Sequence, residues 1–276
     1  MIENLRTVQI ECVHIAEEID KVCRETGIEY SLTGGSVIGY HLYGGFIPWD
    51  DDIDLIMTRE NYDKFLCVAD QMLPENLSVE NFENGRDRRV LFTKVVNKST
   101  TVVEMKQDGR EYVSGVFVDI TVLDHVPKGK IKRRVYYLLS KIVQCCRDRS
   151  FEGGNKSGRI LIKNIGIMVM KPFSSLFYRF CKKLFTKEMK KYGLAELFAG
   201  LPQTYEPNLF AEYMDIEFEG KKMRLIEDYM TYLEIFYGKR EFYREQRKDD
   251  APHHLIYANI DMPYEEYLKS HEQLKQ

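Results

Sequence analysis

Four carboxylates crowd one short stretch, GGFIPWDDDIDL, where Asp50, Asp51, Asp52 and Asp54 follow the only tryptophan, Trp49, and run into Leu55, Ile56 and Met57. Like charges at such range repel, a cost that proteins accept where a cation or a reacting phosphate needs them. The apolar residues after the cluster read as a strand from Ile53 to Met57, along which side chains alternate between faces. Asp52 and Asp54 then share one face, about 7 Å apart, while Ile53 and Leu55 turn into the core. Two carboxylates so placed can converge on one or two Mg²⁺ or Mn²⁺ ions that also hold phosphate oxygens. Asp51 has the opposite phase and is the weakest ligand, and Asp50 is a neighbour of the pair rather than part of it. An EF-hand is the rival, since Asp50, Asp52 and Asp54 match its positions 1, 3 and 5. It fails at the sixth position, Leu55 in place of Gly, and at the twelfth, Asn61 in place of Glu. A solvated acidic turn is the plain alternative, but such a turn has little reason to enter an apolar strand with its acids in phase.

Two more features bear on the same chemistry. In TGGSVIG, the turn Gly34-Gly35-Ser36 opens a helix, whose first N–H groups and the Ser36 hydroxyl suit an anion. Alone this is weak, because Gly-Gly before a helix is usually only a turn. With an acidic strand about fifteen residues later, it describes a phosphate cradle facing a metal site. Asp119 in VFVDIT sits among apolar residues of a central strand; a buried Asp is costly, so it pairs with a cation or joins the metal site.

The elements that position these groups follow from periodicity. Leu5, Val8, Ile15, Ile19 and Val22 mark a helix over 3–26 closed by Gly27. IEYSLTGG (28–35) reads as a strand ending at two glycines, and Ser36 as the cap of the next helix. Thr58 and Asn61 open a helix after the acidic strand. Residues 89–105 read as two strands and 115–126 as a third; beyond 128 the pattern becomes mainly helical, and Gly238 closes a helix after Tyr237. Strands early and helices late predict an α+β fold around a mixed sheet.

At 276 residues, with 44% hydrophobic and 30% charged residues, the chain is an ordinary globular protein. The start, MIENLRTVQIECVHIAEE, lacks a basic region followed by an apolar one, so a cytoplasmic location is expected. The six cysteines show no CxxC or paired-His spacing and read as reduced thiols rather than a zinc site. The net charge of −3 hides an asymmetry: residues 128–191 carry 18 Lys or Arg against 3 Asp or Glu, a net of +15 that leaves −18 elsewhere.

Gly-Ser before a helix, Asp-x-Asp on a strand and a distant Asp on another strand form the signature of the nucleotidyltransferase fold. GGSVIGYHLYGGFIPWDDDIDLIMTRENYDKF further resembles the core motif of the LicD family, which is related to fukutin-related proteins. FTKVVNKSTT, VFVDITVLDHVP, DYMTYLEIFYG and APHH extend the resemblance, in order, over most of the chain. It implies a phosphotransferase that moves phosphocholine or another phospho-alcohol from a CDP-linked donor to a glycan hydroxyl, releasing CMP. It also implies that Asp52, Asp54 and Asp119 hold the metal, that Gly35 and Ser36 hold the donor diphosphate, and that Asp119 is a ligand or the base for the acceptor hydroxyl. Where many of the family carry Arg-His before Gly-Phe-Ile-Pro-Trp, this chain has Leu42 and Tyr43, so another cation must meet the phosphate; Lys94 is the candidate, against its reading as a solvated edge residue. A histidine pair in a loop is usually structural, yet the resemblance gives His253 or His254 a place beside the transferred phosphate. The enzymatic alternative is transfer of a nucleoside monophosphate from a nucleoside triphosphate to a small hydroxyl. A non-catalytic nucleotide- or glycan-binding homologue is the third reading, and the presence of all three carboxylates argues against it.

Three parts are expected: a nucleotidyltransferase-like catalytic core over 1–127, a basic helical insertion over 128–200, and a part over 201–276 that completes the same domain. The uncharged run between Lys163 and Lys171 is far too short to cross a bilayer, which takes about 20 residues. The basic helices therefore lie on an anionic membrane surface, or near the acceptor, or simply pack on the sheet with cations outward. No motif supports nucleic-acid binding.

Overall fold

The computed structural model describes residues 5–81, 92–105, 111–127, 129–147, 174–185, 192–197, 203–238 and 255–273. Helix α1 (Leu5–Thr26) ends at Gly27, whose φ of +66° is the left-handed closure that glycine adopts without penalty. The apolar face of α1, from Val8 to Cys23, is buried. Strand β1 is only Ser31–Leu32, followed by α2 (Gly34–Tyr43), β2 (Asp54–Thr58) and α3 (Arg59–Met72). Thr58 caps α3 as expected, its hydroxyl accepting from the Asn61 N–H. The cap of α2 is Thr33 rather than Ser36, which lies inside the first turn.

Strands β3 (Leu77–Glu80), β4 (Thr93–Asn97), β5 (Thr101–Met105), β6 (Glu111–Ser114) and β7 (Phe117–Pro127) follow. The main sheet runs β1-β2-β7-β4-β3, with β2 and β7 parallel and the other pairs antiparallel. The fold is α+β with a mixed sheet, as the order of elements predicts. The two strands expected over 89–105 separate: β4 joins the main sheet, whereas β5 joins a second sheet, paired on one side with β6 and on the other with a strand over Leu255–Asn259. In the main sheet β7 is central and long, pairing with β2 and β4 near its start and with β8 (Tyr192–Ala195) near its end.

Beyond residue 128 the described residues are mainly helical, as expected, with four short strands among the helices. Helices α4 (Lys130–Arg147) and α5 (Ser174–Phe185) are followed by β8, by the hairpin β9 (Tyr213–Phe218) and β10 (Lys221–Ile226), by α6 (Tyr229–Tyr237), by β11 (Leu255–Asn259) and by α7 (Tyr264–Gln273). The hairpin turns at Glu219-Gly220, both at positive φ, a two-residue geometry that matches strand twist. One core joins α1, both faces of the main sheet, the hairpin and α6, and includes Ile53, Leu55, Phe65, Val118, Phe218 and Leu233. A smaller cluster of Val126, Val143, Tyr178, Cys181, Ala195 and Leu197 seats α4 and α5 on the end of β7 and β8.

A candidate metal and phosphate site

Strand pairing brings the predicted acids together. Asp54 opens β2 opposite Asp119 of β7, and the Asp119 N–H donates to the Ile53 carbonyl at 3.0 Å. Oxygens of Asp52, Asp54 and Asp119 lie within 4.8 Å of one another, and so do those of Asp50, Asp51 and Asp52. Asp52 belongs to both groups, and Asp51, which its phase sets apart, stays close to Asp50 and Asp52. From behind, α1 holds the acidic loop: the Gln9 amide donates to the Asp50 carbonyl at 2.8 Å and the Cys12 thiol approaches the Asp51 carbonyl. Burial first, and then the neighbouring Asp52, push the Cys12 thiol pKa well up, which disfavours its thiolate.

The field at this cluster is strongly negative. Burial first, then Asp54, Asp50, Asp51 and Asp119, raise the Asp52 pKa well above the ordinary carboxylate value. Burial and then Asp119 do the same to Asp54, with Lys94 opposing. Burial and Asp51 lift Asp50 to about 7. Asp52 and Asp54 nonetheless keep part of their surface open to solvent. An all-oxygen set of converging carboxylates fits a hard divalent cation, which relieves the repulsion.

Glycine turns out to serve the carboxylates as well as the helix start. A Cβ on Gly34 would stand 3.1 Å from Asp54 Oδ2, and one on Gly35 would stand 2.8 Å from Asp50 Oδ2, so a side chain at Gly35 would require the Asp50 carboxylate to shift. Gly34 also has φ +55°. The Ser36 hydroxyl accepts the Asp54 N–H at 2.9 Å, tying α2 to β2 and leaving its own proton to donate elsewhere.

Lys94 is not an edge residue. Its strand lies between β7 and β3, its side chain is 3% exposed, and its ammonium sits 3.2 Å from Asp119 Oδ1 and over the Phe117 ring. It balances Asp119 and is thereby committed. His253 and His254 lie outside the described residues.

Two residues went unnoticed in the sequence. The Tyr232 hydroxyl on α6 pairs with Thr33 Oγ1 at 2.5 Å and accepts the Gly34 N–H at 3.1 Å, fixing the glycine turn. Glu196, 2% exposed just after β8, hydrogen-bonds Tyr205 and Thr121; burial lifts its pKa to about 7, and its charge adds to the field at Asp54. Tyr232 falls within DYMTYLEIFYG, but nothing local marks it as a partner of Gly34. Glu196 sits in AELF, with no pattern that signals a site.

A model described as LicD/FKTN/FKRP, nucleotidyltransferase domain, matches residues 27–154, which include every one of these residues from Gly34 to Asp119. The lipopolysaccharide cholinephosphotransferase LicD of Haemophilus influenzae is 28% identical over 270 residues, covering 93% of this chain and 98% of that protein. Residues 27–154 match the LicD-family domain, and the similarity to LicD continues over nearly the whole chain. Within the LicD match the sheet brings together the Asp-x-Asp pair, the distant Asp and the Gly-Gly-Ser turn, which 85 positions of sequence separate from Gly34 to Asp119. Tyr232 and Glu196 lie beyond the matched segment and reach it only through the fold.

Proposed function

We propose that the protein is a metal-dependent phosphotransferase, moving a substituted phosphate such as phosphocholine or a phospho-alditol from a CDP-linked donor to a glycan hydroxyl and releasing CMP. The convergence of Asp52, Asp54 and Asp119 within 4.8 Å is the observation that carries this reading. The name of the Haemophilus relative supports the transferred group. Asp52, Asp54 and Asp119 would hold Mg²⁺ or Mn²⁺. When bound, such an ion supplies positive charge against the donor diphosphate.

The chain's own groups do the rest. Gly34 and Gly35 keep the backbone low against the acids, so that the start of α2 approaches the donor phosphates. Ser36 Oγ, having accepted from Asp54, has its proton to give to a phosphate oxygen. The Lys94 ammonium, 3.2 Å from Asp119, already engages that carboxylate, which suits a ligand better than the base for the acceptor hydroxyl. A loose phosphoryl-transfer transition state asks little of a base, and positioning dominates. The acceptor O–P bond forms as the bond from phosphorus to the CMP oxygen breaks, and the hydroxyl proton leaves to solvent or a nearby carboxylate.

Transfer of a nucleoside monophosphate is the second reading, favoured by the description of the matching domain. Lys94 is already committed to Asp119, so it is a poor source of the extra positive charge a triphosphate needs. Incubation with a CDP-alcohol, a glycan acceptor and Mg²⁺ should yield CMP; pyrophosphate released from a nucleoside triphosphate would instead support the second reading. Full turnover in excess EDTA would remove the metal from either.

A further inference from the structure

Helix α4 carries an apolar stripe that the fold leaves outside. Ile131, Val135, Leu138 and Ile142 recur at helical spacing and are 83%, 48%, 54% and 42% exposed, while the same helix packs inward through Ser140 and Val143. On the neighbouring α5, Leu176 and Phe180 are 68% and 58% exposed, and Phe180 stacks on Phe177. Apolar side chains on one continuous helical face normally face a core; these do not.

Charge says what the stripe faces. Lys130, Lys132, Arg133, Arg134 and Lys141 line α4, and Arg179, Lys182 and Lys183 line α5; neither helix contains an acidic residue. By helical spacing Arg134 and Lys141 flank one side of the stripe and Lys132 the other, and Arg179 and Lys183 stand beside Leu176 and Phe180. Two such faces from two copies would repel, and a nucleic acid offers nothing to the exposed leucine, isoleucine and phenylalanine. Among the described residues no helix is long and apolar enough to cross a membrane. We propose that α4 and α5 dock in the plane of an anionic lipid surface, with the stripe in the acyl boundary and the cations at the headgroups.

The docking face is built from residues other than the acids. Asp119 stands near the start of β7, and α4 follows the end of that strand at Pro127, eight residues on, about 26 Å at 3.3 Å per residue. Docking therefore needs no catalytic residue, and its test does not depend on the proposed reaction.

The full-length chain is sedimented with vesicles of phosphatidylcholine, with or without phosphatidylglycerol, at low and high salt. Sedimentation only with phosphatidylglycerol, reversed by salt, is expected. Replacing Lys132, Arg134 and Lys183 by Gln should weaken partitioning about fivefold per cation. Ile131→Ser, Leu138→Ser and Phe180→Ser together should weaken it by more than about tenfold, with melting temperature unchanged or raised. Should the triple variant fold poorly, fluorescence of Leu138→Trp, compared with the parent, should be quenched by brominated phosphatidylglycerol. Binding indifferent to phosphatidylglycerol, serine variants that bind like the parent, an unquenched Leu138→Trp, or a wild-type dimer that the serine variants convert to monomer would each overturn the proposal.

Discussion

Asp54 and Asp119, 65 positions apart in sequence, are register partners on the parallel strands β2 and β7. Parallel register places their side chains on the same face of the sheet, and Asp52 joins them from the loop just before β2. Removing one charge from this group relieves repulsion within the cluster. Asp52→Asn or Asp54→Asn is therefore expected to lower transfer at least about a hundredfold while leaving the melting temperature without divalent ions unchanged or raised. Mg²⁺ or Mn²⁺ should raise the wild-type melting temperature and leave that of the variants nearly still, which a thermal-shift titration reads directly.

The pH dependence of stability follows from the raised carboxylates. Asp50 moves from 3.8 to about 7 and Glu196 from 4.5 to about 7, each mainly through burial. The folded chain holds these protons more tightly than the unfolded chain, so this contribution is full at acid pH and is lost as pH rises through about 7. Relative to wild type, Asp50→Asn and Glu196→Gln should gain stability steadily between about pH 4 and pH 8. Melting curves across that range in EDTA check it; a difference that stays flat, or falls as pH rises, would count against burial of the ionised forms.

Lys94 is the cation that the fold itself supplies. With its ammonium 3.2 Å from Asp119 and its side chain 3% exposed, Lys94→Met should leave a buried carboxylate unbalanced. A loss of about 3–5 kcal/mol in denaturant unfolding is expected, partly restored by Mg²⁺. Restoration by the divalent ion would separate this from simple repacking.

Tyr232→Phe tests the support of the glycine turn. The change strands the Thr33 hydroxyl and the Gly34 N–H without the tyrosine oxygen, at a cost of about 1–3 kcal/mol. With the turn meeting the donor phosphates as proposed, KM for the donor should rise more than kcat falls, and acceptor KM should stay nearly constant.

Arg59 and Asp124 form a second buried ion pair, 2.9 Å apart, that touches none of these groups. Arg59→Met alone should destabilise by about 3–5 kcal/mol, and Arg59→Met with Asp124→Leu should recover most of that loss. Activity of the folded protein should be the same in both, measured below their melting temperatures.

Local patterns in the chain determined a good deal. The alternation Asp52-Ile53-Asp54-Leu55 marked two apolar side chains for the core and two acids away from it, although only Asp54 and Leu55 lie on β2 and Asp52 lies on the loop before it. Thr58, Asn61, Gly27 and Gly238 marked helix ends because caps and left-handed closures depend on near neighbours. The hairpin around Glu219-Gly220 was legible in YMDIEFEGKKMRLI and went unread beside the helical pattern of the basic segment. The tertiary structure alone decided that Lys94 faces Asp119 from a central strand, that Tyr232 reaches Gly34 across 198 positions, and that Glu196 leans on the acids from β8. It also turned the stripe of α4 outward. Strand order and the choice of buried face are settled by how distant elements pack, and a cation, a hydroxyl or an apolar face carries no local mark of the partner that packing will give it.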